Sequence, residues 1–455
     1  MIQPKRLLAS PVFFGWLAMA VRALVPLLGA AYSAQALSAE EAVVFWLALS
    51  VFSITGLLDV GFTPTFIRYF AYALAHSSTD VRSHPVGAVL GVQTRIYAFL
   101  TPGFFLVIGG VLAILLHPNA VPSELGDAVF CGCCILLGAT ATFYSAKPRA
   151  ILQGAGQVLG QKRTEALSGF ISLVGFLLLF SAPLSWVLAL FAGSRGIELF
   201  LLTGQVRRLD LEKSGAGDDS TEGLWGEVIG AALRSGLGVL ATGLVIEGTA
   251  LFASKALAPE IAAQYMMSLR FVIMLAAFSN LPFQVAIPSL VRQFSLGERR
   301  SLISRVERLR SVVLGVLVLG AFALPAILVG MNRLLGMQVM PLELELWGLL
   351  VAYALLERGG AVNIQVQTLN KVVHWHKVNG LTGLAAAMLI IPLNGFFGEK
   401  GLALSFILAY GLVYFPYSVY LRLEVFGPPV PLWDRLLPIS LMVVLFLLSL
   451  PKWAF

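Results

Sequence analysis

Residues 87–116, GAVLGVQTRIYAFLTPGFFLVIGGVLAILL, hold a single charge, Arg95. As a helix rising 1.5 Å per residue, such a run is about 45 Å long, more than the ~30 Å hydrocarbon core of a bilayer. Its apolar residues are continuous, whereas the strands of a transmembrane barrel alternate apolar and polar positions. Similar runs recur, and the sequence predicts helices at 12–34, 42–63, 87–116, 122–146, 165–183 and 185–204. After a polar break they resume at 224–251, 261–290, 311–331, 341–366, 378–396 and 401–421, with a further helix at 434–451. The chain is 58% hydrophobic and 12% charged, with a mean hydropathy of +0.86. An ordinary soluble chain is about a quarter charged. A soluble enzyme, a disordered chain and a nucleic-acid binder are excluded, and a polytopic all-α membrane bundle remains.

Orientation follows from the basic residues. With the N-terminus in the cytoplasm, 21 of the 31 lysines and arginines fall inside, and only Lys255, Arg333, Lys400 and Lys452 fall outside. This is the expected inside excess. Trp46, Trp186 and Trp347 mark outer helix ends, and Trp225, Trp375 and Trp433 inner ones. Lys5 and Arg6 followed by an apolar run and Ser33-Ala34-Gln35-Ala36 have the layout of a cleavable signal. Arg22 interrupts that run, so the first helix is expected to stay.

The polar segment 205–223 carries no apolar period and reads as a flexible cytoplasmic linker. The expected organisation is a six-helix lobe at 1–204, the linker, a second six-helix lobe at 224–421 and an extra helix within 422–455. The halves are weakly alike. Ala18-Met-Ala-Val-Arg22 answers Gly230-Ala-Ala-Leu-Arg234, and the exit Pro64-Thr-Phe-Ile-Arg68 answers Pro288-Ser-Leu-Val-Arg292. An even number of spans per repeat makes the copies parallel, and such carriers bind substrate between halves.

Two stretches carry a family resemblance. GLLDVGFTPTFIRYFAYAL (56–74) resembles the end of the second helix in Wzx-type polysaccharide flippases. PRAILQGAGQV (148–158) resembles their link between helices 4 and 5. With the six-plus-six layout, the resemblance covers most of the chain. It points to the multidrug/oligosaccharidyl-lipid/polysaccharide (MOP) exporter superfamily. It implies a V-shaped, MATE-like carrier in a bacterial inner membrane, moving an undecaprenyl-diphosphate-linked glycan, such as an O-antigen precursor, to the outer leaflet. Implied partners are that glycan, membrane lipids and the polysaccharide polymerase machinery. No cofactor is implied, and coupling to H+ or Na+ stays open. The extra helix departs from the simplest pattern.

The residues themselves point to an anionic cargo. Arg22, Arg95, Arg195, Arg234, Arg270 and Arg358 fall within predicted helices. A central arginine costs upwards of ~2.5 kcal/mol unless it meets water or a partner. A guanidinium suits diphosphate oxygens and stays charged at any relevant pH. Arg22, Arg234 and Arg270 lie deepest and have no acid one turn away, so they are the leading substrate candidates, with Arg358 and Arg95 behind them. Arg95 is near enough to its helix end to snorkel. The acids at depth are Asp59, Glu198, Glu247 and Glu357. Arg195 and Glu198, three apart, form a structural pair. Glu357 and Arg358 are adjacent and project differently, so each needs a partner elsewhere. Asp59 reads first as a turn or cap residue and second as a coupling site. Glu247, with no basic neighbour on its helix, is the better coupling site.

Other classes fit less well. A MATE-type drug or cation exporter shares the expected fold but needs carboxylates for its cargo, and here arginines outnumber them. An integral polymerase or acyltransferase needs a catalytic group at the membrane face. The predicted outer loops are too short for a catalytic domain, and His374 and His376 fall on opposite sides of a helix. Cys131, Cys133 and Cys134 share one apolar run, FCGCCILLG, and read as packing. SLISRVERLR (301–310) is amphipathic. It reads either as a helix lying on anionic lipid or as a solvated connector. Gly154, Gly156, Gly359 and Gly360 read as hinges or as close helix contacts.

Overall fold

The computed structural model describes residues 11–427 apart from 60, 76–85, 116–124, 210–220, 284–285, 287–289, 291–292, 294–297, 336–337 and 366–374. The predicted helix at 434–451 and most of the 205–223 linker lie outside the described residues. The chain is all-helical and forms two compact units, Met1–Glu247 and Gly248–Phe455.

Unit 1 contains α1 (Pro11–Gln35), α2 (Ala39–Leu57), α3 (Phe62–Ala75), α4 (Val86–Leu115), α5 (Leu125–Gly154), α6 (Val158–Leu178), α7 (Leu184–Arg207) and most of α8 (Thr221–Ala256). Unit 2 takes the end of α8, then α9 (Pro259–Ser279), α10 (Arg299–Leu335), α11 (Leu344–Gln365) and α12 (Trp375–Phe397). Its last span is α13 (Glu399–Ala409), a π-helical turn at Tyr410–Tyr414, and α14 (Phe415–Phe426). Among the described residues, nine helical segments are long and apolar enough to cross a membrane. Helices also occupy the other three predicted positions, as α6, α8 and α11.

In unit 1, α5 packs most extensively on α7, α1 on α6 and α3 on α5. The α1 contact is built from aromatic rings. Tyr32 packs edge-on against Phe45, Phe176 and Phe180, and its hydroxyl donates to the Ala182 carbonyl at 2.9 Å. The first helix is thus an integral part of the core. At the start of α2, Ser38 caps Glu41 N–H while the Glu41 carboxylate accepts from Ser38 N–H. This reciprocal box starts the helix three residues before the apolar run.

Two expected elements are corrected. The run 42–63 is broken, because Asp59 and Gly61 turn the chain between α2 and α3. Gly61 has φ +75°, a conformation that a side chain disfavours. The second correction concerns SLISRVERLR, which is neither a surface helix on lipid nor a separate connector. It is continuous with the next span in the 37-residue α10. Leu302 and Val306 bury against Phe283, Leu290, Val362, Val425 and Phe426. Glu307 pairs with Arg422 at 2.6 Å, and Arg299 donates to the Val425 carbonyl at 3.3 Å. The apolar face that suggested lipid is covered by protein.

Of the glycines singled out, two make close helix contacts. A Cβ on Gly154 would collide with Phe70 and the Ile67 carbonyl, and one on Gly360 would lie 2.6 Å from the Tyr414 ring. Gly156, at φ +74°, forms the turn between α5 and α6.

Candidate functional site

A polar layer crosses unit 1. From α5, Arg149 pairs with Glu198 of α7 and approaches Glu165 of α6 at 3.6 Å. Arg195 holds the other Glu198 oxygen at 3.0 Å, and Ser168 donates to it at 3.3 Å. Lys162 and Gln161 both reach Glu165 at 2.8 Å. Glu198 is completely buried. The expected Arg195–Glu198 pair is therefore present, as one edge of a network tying three helices together. Arg149 and Glu165 were not singled out in the sequence because they sit where the apolar runs end. The usable signal was the carboxylate of Glu165 one helix turn after Lys162.

The same layer continues to α4. Lys147 Nζ donates to Thr94 Oγ1 at 2.9 Å, and Gln93 donates to the Lys147 carbonyl at 3.3 Å. Arg95, next to Thr94, and Arg195, which shares Glu198 with Arg149, thus stand level with Lys147 and Arg149. Helices α4 and α5 have 30 residues each. Their ~45 Å length overshoots a ~30 Å core, so charges well inside a helix still reach the membrane surface.

Asp59 belongs to this layer as well. Its carboxylate accepts from Thr63 N–H and from the Tyr97 hydroxyl, each at 2.6 Å, and it is buried. It caps α3 through the bond from Thr63 N–H. Asp59→Ala should lower thermal stability in detergent by about 1–2 kcal/mol. Asp59→Asn, which still accepts from Thr63 N–H, should lose less than half of that. Equal losses would show that the negative charge, rather than the cap, holds the turn.

In unit 2, Arg270 sits near the middle of α9 and is 7% exposed. Residues 265–272 of α9 are all buried, so this helix is enclosed on every side. Glu357 and Arg358 depart from expectation. Instead of seeking separate partners, the two side chains pair with each other on α11. The long arginine side chain folds back across the 100° between neighbours, since the surrounding aromatic residues supply no carboxylate. Tyr353 of α11 packs edge-on against Tyr410 at 4.9 Å, and Tyr410 lies tilted against Tyr414 at 4.8 Å. Both belong to the π-helical turn, a geometry that recurs at functional sites.

Glu247 is buried on α8. Arg22 and Arg234 lie on α1 and α8, and their side chains lie outside the described residues.

This architecture has been seen before. The MATE multidrug transporter DinF-BH, solved with R6G, aligns with a TM-score of 0.63 over 94% of this chain and 98% of its own, at 17% identity. The fold is that of the MOP superfamily. A second member, described as an outward-facing multidrug resistance MATE transporter of that superfamily, aligns at 0.57 over 97% of each chain, at 14% identity. The lipid II flippase MurJ, in an inward closed conformation, aligns at 0.52 over 95% of this chain and 92% of its own, at 12% identity. No protein-family model and no curated protein matches the chain. The MOP fold accounts for the multi-pass helical architecture, and these structural neighbours are transporters rather than enzymes. Their names point to two kinds of cargo, drugs and lipid II, so cargo has to be argued from side chains.

Proposed function

We propose that this MOP-fold protein is a Wzx-type flippase, carrying an undecaprenyl-diphosphate-linked oligosaccharide from the cytoplasmic to the outer leaflet by alternating access. Arg22, Arg234 and Arg270 supply the cationic path for the diphosphate. Glu247 is the proposed site of any H+ or Na+ coupling. The observation that carries this reading is the state of the carboxylates. Asp59 is held by Thr63 and Tyr97, Glu198 by Arg149 and Arg195, and Glu357 by Arg358. These acids, which a cationic drug would need, are already engaged within their own units. Likeness to the lipid II flippase supports a lipid-linked cargo.

The competing reading is a MATE-type drug antiporter, favoured by the alignment with DinF-BH. Proteoliposomes separate the two. A flippase exposes a fluorescent diphosphate-linked oligosaccharide to an external enzyme and leaves R6G unmoved. R6G transport without oligosaccharide movement would reverse the assignment.

The proposed orientation is checked independently, in a background lacking the three native cysteines. A cysteine at exposed Ser301, at the start of α10, should be protected from an impermeant thiol reagent in intact cells. A cysteine at exposed Asn332, near the end of that helix, should react. The opposite pattern would invert the topology.

A further inference from the structure

Helices α4 and α5 present a combined outer surface shaped like an amphiphile. At one end stand Arg95, exposed on α4, and Lys147, half-exposed on α5. Among the described residues neither has a carboxylate partner, in contrast to Arg149 and Arg195 on the same layer. Lys147 is held by an uncharged hydroxyl, that of Thr94. One to two turns further along, the Thr101 and Tyr144 hydroxyls meet at 2.9 Å. On either side of them the surface is apolar. Phe99 and Leu106 on α4 are each 77% exposed, and Leu137 on α5 is 65% exposed.

We infer that this surface is a binding site for an anionic phospholipid, its phosphate headgroup on Arg95 and Lys147 and its acyl chains along Phe99, Leu106 and Leu137. Three observations combine to support this. Two uncompensated cations at a membrane boundary attract a negative headgroup, each worth about a fivefold gain in occupancy. The Lys147 side chain is positioned before binding by Thr94, and this bond and that from Gln93 stitch α4, which carries Arg95, to α5 at this level. The apolar stripe then runs in the direction that the chains of a lipid anchored there would follow. In the proposed orientation the lipid belongs to the cytoplasmic leaflet. The site lies on unit 1 alone and does not depend on the identity of the cargo.

Native mass spectrometry of the full-length protein in detergent, with dioleoylphosphatidylglycerol or dioleoylphosphatidylcholine added, tests this. The wild type should retain the anionic lipid in preference to the zwitterionic one. Arg95→Gln should weaken that retention roughly fivefold, and adding Lys147→Gln should bring it down to the phosphatidylcholine level. Arg95→Lys with Lys147→Arg, which exchanges the two cations, should keep the preference. Arg95 makes no hydrogen bond or ion pair with another described residue, so its single substitution reports on binding even if the double variant fails to fold. Wild-type retention of phosphatidylglycerol by Arg95→Gln, or equal retention of both lipids by the wild type, would overturn the site. Either result would leave the flippase reading standing, because that reading is tested by oligosaccharide movement.

Discussion

Arg270→Ala is expected to stop export, leaving lipid-linked precursor on the cytoplasmic face and surface polysaccharide at background in cells lacking the native gene. Arg270 lies on the one stretch of α9 that is buried on every side. A charge in such a place is costly unless it serves binding or a structural pair. The lysine variant separates the two. Arg270→Lys keeps the charge and most of the length but loses the planar fork that takes two phosphate oxygens at once. If Arg270 grips the diphosphate, Arg270→Lys should also lose most of its transport while the protein inserts at normal abundance. If it only sets the local potential, lysine should serve nearly as well. Full activity of the alanine variants at all of positions 22, 234 and 270 would refute the cationic path and raise the drug antiporter above the flippase.

The second large effect is on stability. Glu198 is fully buried and bridges Arg149 and Arg195 across α5 and α7. Removing one partner from a buried ionic cluster leaves the others uncompensated and costs about 3–5 kcal/mol. For a unit of this size, Glu198→Ala should lower the melting temperature in detergent by roughly 10 °C. Arg195→Ala leaves Glu198 paired with Arg149, so it should cost well under half as much. A triple replacement of Glu198, Arg149 and Arg195 by apolar residues of similar volume should recover much of the loss, since it leaves no orphaned charge. Equal melting temperatures for Glu198→Ala and the wild type would mean that the network does not hold the three helices together.

The parts of the fold that depend on composition alone were legible. Each apolar run reads as a helix because burial in lipid is close to additive along a run, and the runs from 12–34 to 401–421 all carry helix in the structure. Local chemistry is readable too. Asp59 two residues before Gly61 signals a turn, and Arg195 three residues before Glu198 signals a pair. The box Ser38-Ala-Glu-Glu41 was present but hidden behind the stronger apolar signal that starts at Ala42. Where the apolar signal extended past a polar interruption, as at Asp59 and at 301–310, reading by runs placed the boundaries wrongly.

By itself, the sequence determined that this is an all-helical multi-pass membrane protein with an excess of arginine within its helices. Only the tertiary structure decided which arginines are paired, and at what level. A shift of one residue turns a side chain by 100° and moves it 1.5 Å, so depth and direction depend on how antiparallel neighbours are offset. That offset brought Arg95 level with Lys147 and Arg195 level with Arg149, turned Arg358 onto its own neighbour Glu357, and kept Arg270 within packed protein. Hydrophobicity is a property of each residue, whereas a charge's partner is a property of the packing between helices.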